Sequence, residues 1–336
     1  RPGVMTAGAV QILMKSSGIV LERVLLAGSG PLLWLVAQQL CAAGASPVAV
    51  VETVPRGRYL AAAPELPRAL RASSYLLKGM AMMRAVRAAG VPIHRGATGL
   101  AVEGSERAEA LRFESGGKAH RLEAQVIALH QGVIPNQQIS RLIGAAHDWD
   151  DVQLCFRPRR DAWLRLDVEG FSAAGDGGGI GGARSAEAEG RIAALGVAEA
   201  LGRIGVAERD ARAAGALRDR ARELAVRPLL DRLYAPPDEV LRPADEVTIC
   251  RCEEVRAGAL REAVALGCPG PNQAKSYLRC GMGPCQGRLC GPTVTAIIAA
   301  ETGRPHEEVG YYRIRPPLKP LTLGELAGLD AETAAE

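Results

Sequence analysis

The stretch "RVLLAGSGPLLWLVAQQLCAAGASPVAVVE", Arg23 to Glu52, narrows the fold more than any other part of the chain. Residues 23–27 are a short apolar run, as a parallel strand buried on both faces requires. Gly28-Ser29-Gly30 supplies a tight turn, and Pro31 suits the first turn of a helix. Leu32, Leu33, Val36 and Leu40 give that helix an apolar face, and Gly44 ends it. Residues 48–51 form a second strand that closes at Glu52. The order strand, glycine turn, helix, strand is a βαβ unit, which needs a parallel sheet to pack against.

The unit has the layout of a dinucleotide site. Gly28 permits the turn, and Gly30 lets a pyrophosphate approach the backbone at the helix N-terminus. Ser29 and Pro31 complete the cradle, and Glu52 stands where an acidic residue holds a ribose hydroxyl. Leu33 replaces the third glycine of the fingerprint, so the pattern specifies the fold more firmly than the ligand. NAD(P) or another nucleotide is the candidate occupant. Arg56 and Arg58 read either as phosphate acceptors or as a solvated loop.

Residues 24–51 carry no charge, yet Gly28, Gly30, Pro31, Gly44 and Pro47 interrupt them at turn positions, which excludes a membrane span. The 336 residues allow two or three domains. Aromatics are only 4%, too few for a single-stranded nucleic-acid platform, and a mixed net charge of +4 gives no electrostatic footprint for nucleic acid. Eight cysteines with no secretory pattern at the start favour a reducing compartment, so a cytoplasmic location is expected. Met80, Met82 and Met83 read as core packing, and His94, His120 and His130 as structural or surface histidines.

Further on, "QVIALHQGVIPNQQISRLIG" reads as a buried strand, a Gly132–Asn136 turn and a helix. Residues 171–174 then read as a strand running into Gly175-Asp176, with a glycine-rich turn and an alanine-rich helix behind it. These stretches resemble the second half of the FAD domain in the two-dinucleotide-domain flavoproteins, the pyridine-nucleotide-disulphide-reductase fold. The resemblance implies that Asp176, beside Gly175, hydrogen-bonds the flavin ribityl or phosphate region. It also implies that Gly181, Gly182 and Ala183 hold the pyrophosphate or the isoalloxazine edge at the helix N-terminus. In that family the first FAD half precedes the NAD-type domain and carries the main ADP-binding glycines. Nothing before Val24 supplies them, so the N-terminal FAD half is expected to be missing, and FAD binding to need it. The family's redox Cys-x4-Cys is also lacking, since only Cys41 and Cys155 occur before residue 200.

The remaining cysteines cluster. Cys250-x-Cys252 is followed, after 32 intervening residues, by Cys285-x4-Cys290. Two close pairs brought together by a helical module can make a four-thiolate site. The stretches "CRCEEV" and "GCPGPNQAKSYLRCGMGPCQGRLCG" resemble the bacterioferritin-associated-ferredoxin-like (BFD-like) 2Fe-2S domain, whose ligands carry over to Cys250, Cys252, Cys285 and Cys290. Cys280 sits four intervening residues before Cys285 and could replace Cys290. Structural zinc needs the same thiolates, so spacing alone does not separate the two metals. Cys268 reads as a helix-end core residue. Gly281, Gly283 and Gly287 are expected to free backbone N–H groups toward sulfur, and Arg251, Lys275, Arg279 and Arg288 to offset anionic charge or simply be solvated.

The expected architecture is α/β: a truncated Rossmann-like two-dinucleotide-binding-domain flavoprotein fold plus a small C-terminal helical 2Fe-2S module. The divisions are a connector from the missing FAD half (1–20), an NAD(P)-type Rossmann domain (21–122) and the second half of the FAD domain (123–205). A helical, Pro-rich linker (206–245), the BFD-like domain (246–305) and a tail strapped over another surface (306–336) complete them. The combination resembles the alpha subunits of amine-oxidising dehydrogenase complexes: opine oxidase, hydrogen cyanide synthase and heteromeric proline or hydroxyproline dehydrogenases. What this implies is an electron-transferring subunit served by an FAD-containing beta subunit. A further implied partner is a small ferredoxin-like subunit. Quinone or another acceptor would take the electrons, with the inner membrane reached through the complex. No catalytic nucleophile–base or acid–base set is evident, which suits a relay. A stand-alone NAD(P)H-dependent flavoprotein reductase is the alternative, and a zinc scaffold with vestigial nucleotide sites a third.

Overall fold

A computed structural model describes residues 2–328. They form two compact units: residues up to 133 together with 215–237, and residues 134–214 together with those from 238 onward.

The first unit runs β1 (Val4–Thr6), α1 (Ala7–Ser17), β2 (Val24–Gly28), α2 (Pro31–Ala42), β3 (Ala49–Glu52), α3 (Arg56–Ala62), α4 (Leu66–Ala69) and α5 (Ser73–Ala88). Then come β4 (Ile93–Arg95), β5 (Thr98–Glu103), β6 (Ala110–Ser115), β7 (Lys118–Glu123) and β8 (Val126–His130). Five strands form a parallel sheet in the order β1-β8-β2-β3-β4, and β5-β6-β7 make an antiparallel meander. The alternation along β2 explains why that strand is apolar at every position. Val24 and Leu26 pack with Leu33, Val36 and Leu40 of α2 and Val86 of α5. Leu25 and Ala27 pack on the other side with Leu111 and Phe113 of the meander. Each fully buried Leu or Val contributes about 1.5–3 kcal/mol. Gly28 has φ +133°, and a Cβ there would overlap the His130 carbonyl, which also accepts from Ser29 N at 2.7 Å. The close approach of β8, as much as the turn, demands glycine.

Two stretches behave differently from expectation. Residues 1–20 were expected as a connector, but β1 pairs in register with β8 (Val4↔Ile127), and Ala7 and Val10 of α1 are buried in the helix-side core. The edge strand and its helix are therefore part of the Rossmann sheet, with Thr6 capping α1 through Ala9 N at 3.1 Å. Residues 206–245 were expected as a linker. Instead their middle packs Ala225, Val226 and Leu229 against Ala62, Ala69 and Ala72. Small side chains on both partners allow close helix approach, a signal that alanine content alone does not reveal.

In the second unit, α6 (Gln138–Leu142) precedes an antiparallel hairpin, β9 (His147–Asp150) and β10 (Cys155–Pro158), and then α7 (Ala183–Ala200). α8 (Val206–Glu223) and α9 (Arg227–Leu233) follow in the chain, then α10 (Asp238–Leu241). The cysteine region comprises β11 (Thr248–Cys250), β12 (Val255–Arg256), α11 (Ala257–Ala265), α12 (Pro271–Leu278), α13 (Gly291–Thr302), α14 (His306–Val309) and α15 (Leu323–Ala327). The strand expected at 171–174 is not formed. A single bridge links Arg165 with Ser172, and Gly175–Gly178 winds as a 3-10 turn. Here the Ala173 carbonyl accepts from the Arg160 guanidinium at 2.7 Å, and the same guanidinium pairs with Glu189 at 3.0 Å. No helix among the described residues is long and apolar enough to cross a membrane.

Candidate functional site

The cysteine region builds its site from a hairpin and two helix ends. β11 and β12 pair antiparallel, Cys250 opposite Val255, and the turn between them carries Cys252. Arg279 ends α12 in a left-handed conformation (φ +60°), and the next residue is Cys280. The loop passes Cys285 and reaches Cys290, the N-cap of α13. All eight cysteines are free thiols.

The sulfurs of Cys250, Cys280 and Cys290 lie within 4.8 Å of one another, and all three residues are at most 1% exposed. Cys252 and Cys285, both partly exposed, interact with each other: the Cys285 backbone N–H lowers the Cys252 thiol pKa, while burial and the Cys285 thiol raise it, with a net rise. The Cys290 thiol is pushed far up, first by its hydrogen bond with the Cys280 thiol, then by burial, with Cys285 adding to it. The four cysteines expected as ligands and Cys280 thus share one neighbourhood. Cys268 is buried with its sulfur donating to the Gly270 carbonyl at 3.5 Å, a core role.

The donor set fits an iron–sulfur or zinc centre rather than a hard cation, because sulfur alone is offered. Ligation takes thiolates, so a bound metal would displace the thiol protons. Residues Cys250, Cys252, Cys285 and Cys290, with Cys280 in reach, would hold the group.

Sequence reasoning missed the aromatic roof of this site. Tyr312 is 1% exposed, and its hydroxyl donates to the Cys280 sulfur at 3.4 Å and stands 3.6 Å from the Cys290 sulfur. Burial, then the Cys290 and Cys280 sulfurs, push the phenol pKa far up, so it stays a donor. The glycines serve this packing. A Cβ on Gly281 or Gly287 would overlap the Tyr312 ring, one on Gly291 the Tyr311 ring, and one on Gly283 the Cys252 side chain. Space for tyrosine and cysteine accounts for them, where access of N–H groups to sulfur was expected. The module also runs past residue 305: Val309, Tyr312 and Ile314 belong to its core. The expected tail is held at Arg313, since Asn272 accepts from Arg313 N at 2.7 Å and Lys275 donates to the Arg313 carbonyl at 2.7 Å; residues 329–336 of that tail lie outside the described residues. Arg288 donates to the Leu318 carbonyl at 2.8 Å, and Arg279 pairs with Glu253 at 2.9 Å. The pair "YY" before a proline run was the one available sequence signal.

The nucleotide residues are arranged otherwise. Gly28, Ser29, Gly30 and Pro31 do form the turn into α2. Glu52, however, is 2% exposed and accepts from Trp34 Nε1 at 3.2 Å, with the Tyr59 hydroxyl at 3.5 Å and Arg95 at 3.7 Å. Burial raises its pKa despite these donors. A Cβ on Gly30 would lie 3.4 Å from the His130 ring, which therefore stands over the approach expected for a pyrophosphate. Arg58 donates to the Ala235 carbonyl at 2.8 Å. Asp176 is exposed, and its Oδ1 accepts from Gly181 N and Gly182 N at 2.9 Å each. Gly175 N donates to Glu189 at 2.8 Å. Gly181 N and Gly182 N, just before Ala183 and the start of α7, are thus engaged by Asp176.

Residues 247–329 match the family model of the sarcosine oxidase A3 domain. The chain is 44% identical to the A subunit of opine oxidase from Rhizobium meliloti (strain 1021), over 98% of this chain and 72% of that protein. It is 31% identical to the HcnB subunit of hydrogen cyanide synthase from Pseudomonas protegens, over 99% of this chain and 72% of that protein. The corresponding opine oxidase chain of Agrobacterium tumefaciens (strain Ach5) is 42% identical, and the present chain spans 65% of its length. The crystal structure of L-proline dehydrogenase from P. horikoshii shares the fold, with a TM-score of 0.63 at 17% identity, covering 96% of this chain and 54% of that one. An identity of 44% that runs through the Rossmann sheet and the cysteine module alike is family likeness along the whole chain, and the chain belongs to the opine oxidase A-subunit family of oxidoreductases.

Proposed function

We propose that this chain is the electron-transferring subunit of a flavin- and iron–sulfur-dependent amine dehydrogenase complex acting on opine, proline/hydroxyproline or glycine-type substrates. The observation that carries the reading is the convergence of the buried Cys250, Cys280 and Cys290 sulfurs, with the partly exposed Cys252 and Cys285 interacting in the same module. A 2Fe-2S centre supplies one-electron exchange without proton chemistry. The chain's own residues seat it, exclude water from Cys250 and Cys290, and donate the Tyr312 hydrogen bond toward sulfur. An FAD-containing amine-oxidising beta subunit would deliver the electrons, and a small ferredoxin-like subunit or a quinone would take them. FAD on this chain would lie against Asp176 and the start of α7 and would also need the family's first FAD half. The complex would be cytoplasmic, or peripheral at the inner membrane. A stand-alone NAD(P)H reductase would need Glu52 at the ribose, and the Trp34 N–H holds it inside.

The test is amine-dependent reduction in the complex purified with its partner subunits. On adding substrate anaerobically, the iron–sulfur EPR signal should appear in the wild type. With Cys252→Ser the flavin should still bleach while that signal stays absent. Amine-independent reduction by NADH at the same rate would overturn the reading.

A further inference from the structure

The sulfurs of Cys250, Cys280 and Cys290 come within 4.8 Å of one another, and Cys252 and Cys285 interact as a second pair, so the neighbourhood offers five thiols where four complete a cluster. We propose that Cys280 is a reserve ligand that takes over the position of Cys290. The inference rests on the iron–sulfur reading above and goes beyond it by giving Cys280 and Cys290 both a place at the cluster, where the spacing offered them as alternatives.

Distance is the first support. Two thiolates on one metal, each at about 2.3 Å, stand at most about 4.6 Å apart. The Cys250, Cys280 and Cys290 sulfurs already lie within 4.8 Å of one another, so side-chain rotation is enough to bring Cys280 into range. Cys280 lies between Arg279 (φ +60°) and Gly281 (φ +86°), outside any helix or strand. Helix ends decide which sulfur serves at rest. Cys290 caps the N-terminus of the 12-residue α13, where the helix dipole favours a negative sulfur. Cys280 follows the C-terminus of α12, the end that disfavours one.

Tyr312 joins the two. Its hydroxyl is 3.4 Å from the Cys280 sulfur and 3.6 Å from the Cys290 sulfur. Were Cys280 to replace Cys290 as a ligand, the proton given up by one thiol would balance the proton taken up by the other, so no electrons would change hands and the charge of the site would be unchanged. The Tyr312 hydroxyl stands within reach of both sulfurs.

The experiment is iron and labile-sulfide content, with EPR g-values, of the complex bearing Cys290→Ser, Cys280→Ser or both, against the wild type and Cys285→Ser. Cys290→Ser should keep about half or more of the wild-type iron with shifted g-values, whereas the double variant and Cys285→Ser lose about tenfold or more. A Cys290→Ser protein as empty as Cys285→Ser, beside a loaded wild type, overturns the proposal and leaves the iron–sulfur reading standing. A wild type without labile sulfide overturns both. A second measurement uses a variant that should fold normally. Cys280→Ser should load fully but lose iron to a chelator about threefold or more faster than the wild type, within the range that supporting residues command. Equal rates of loss contradict the proposal.

Discussion

In the βαβ unit, Gly28, Gly30 and Glu52 occupy the positions that a dinucleotide pattern assigns, yet Glu52 is sealed under Trp34 and Tyr59, and His130 stands over Gly30. In the cysteine module Cys250, Cys280 and Cys290 bring their sulfurs together beside a buried tyrosine, and Cys252 interacts with Cys285. A glycine pattern specifies backbone, and backbone geometry survives when a neighbouring indole or imidazole takes the ligand's place. A thiol set specifies ligation, and its convergence is costly to keep unless the sulfurs have a shared use. The same contrast holds within the second unit, where Asp176 satisfies its own loop's N–H groups while the cysteines satisfy little but one another.

The largest effect is expected at the sulfurs. Cys250→Ser or Cys252→Ser should lower bound iron by about tenfold or more, measured by metal analysis of the intact complex. Undiminished iron in both variants would erase the contrast between the regions. Packing comes next. Gly287→Ala puts a Cβ into the Tyr312 ring at φ +77° and should cost about 2–4 kcal/mol in denaturant unfolding. Gly44→Ala, at φ +84° with no atom within 4 Å, should cost only about 1 kcal/mol. Equal costs would mean that the aromatic roof adds no constraint.

A pH effect separates the second unit's hairpin. Burial, then the nearby Arg141, lower the His147 pKa to about 4, and its Nδ1 donates to the Ala145 carbonyl at 2.8 Å. The unfolded chain binds the proton first, near pH 6.5. Stability is therefore full above that range and falls as pH drops toward about 4. His147→Gln should flatten the fall by about 1–2 kcal/mol, after allowing for solvent around the half-buried ring. An unchanged pH profile would contradict the burial argument. The smallest effect is expected at Glu52. Glu52→Gln should change NADH affinity by less than about twofold, because the carboxylate is spent on Trp34, whereas loss of a ribose contact would cost about tenfold or more. The same variant should be favoured as pH rises, since the folded Glu52 pKa is raised and its contribution to stability fades above the ordinary carboxylate range.

The sequence displayed the turn at Gly28-Ser29-Gly30, the helix from Pro31 and the strand before Glu52 because each depends on neighbours within a few residues. The cysteine loop was legible for the same reason, down to Cys280 as a rival of Cys290. What escaped depends on distant partners. Val4–Thr6 is too short to announce itself, and becomes a strand only because β8 offers an edge. Ala225 and Leu229 look like linker until Ala62 and Ala69 meet them. Residues 171–174 have strand character, but Arg160 claims the Ala173 carbonyl. Tyr312 lies 22 residues beyond Cys290 and is placed over it by Asn272 and Lys275, side chains with no motif to flag them.

The most direct test of the central claim is the iron and acid-labile sulfide content of anaerobically purified protein, with low-temperature EPR after dithionite reduction. About two irons and two sulfides per chain are expected. A reduced S = 1/2 signal that disappears in Cys285→Ser should accompany them. Stoichiometric zinc without sulfide, and no signal, would contradict the relay and leave the cysteines as a structural clasp.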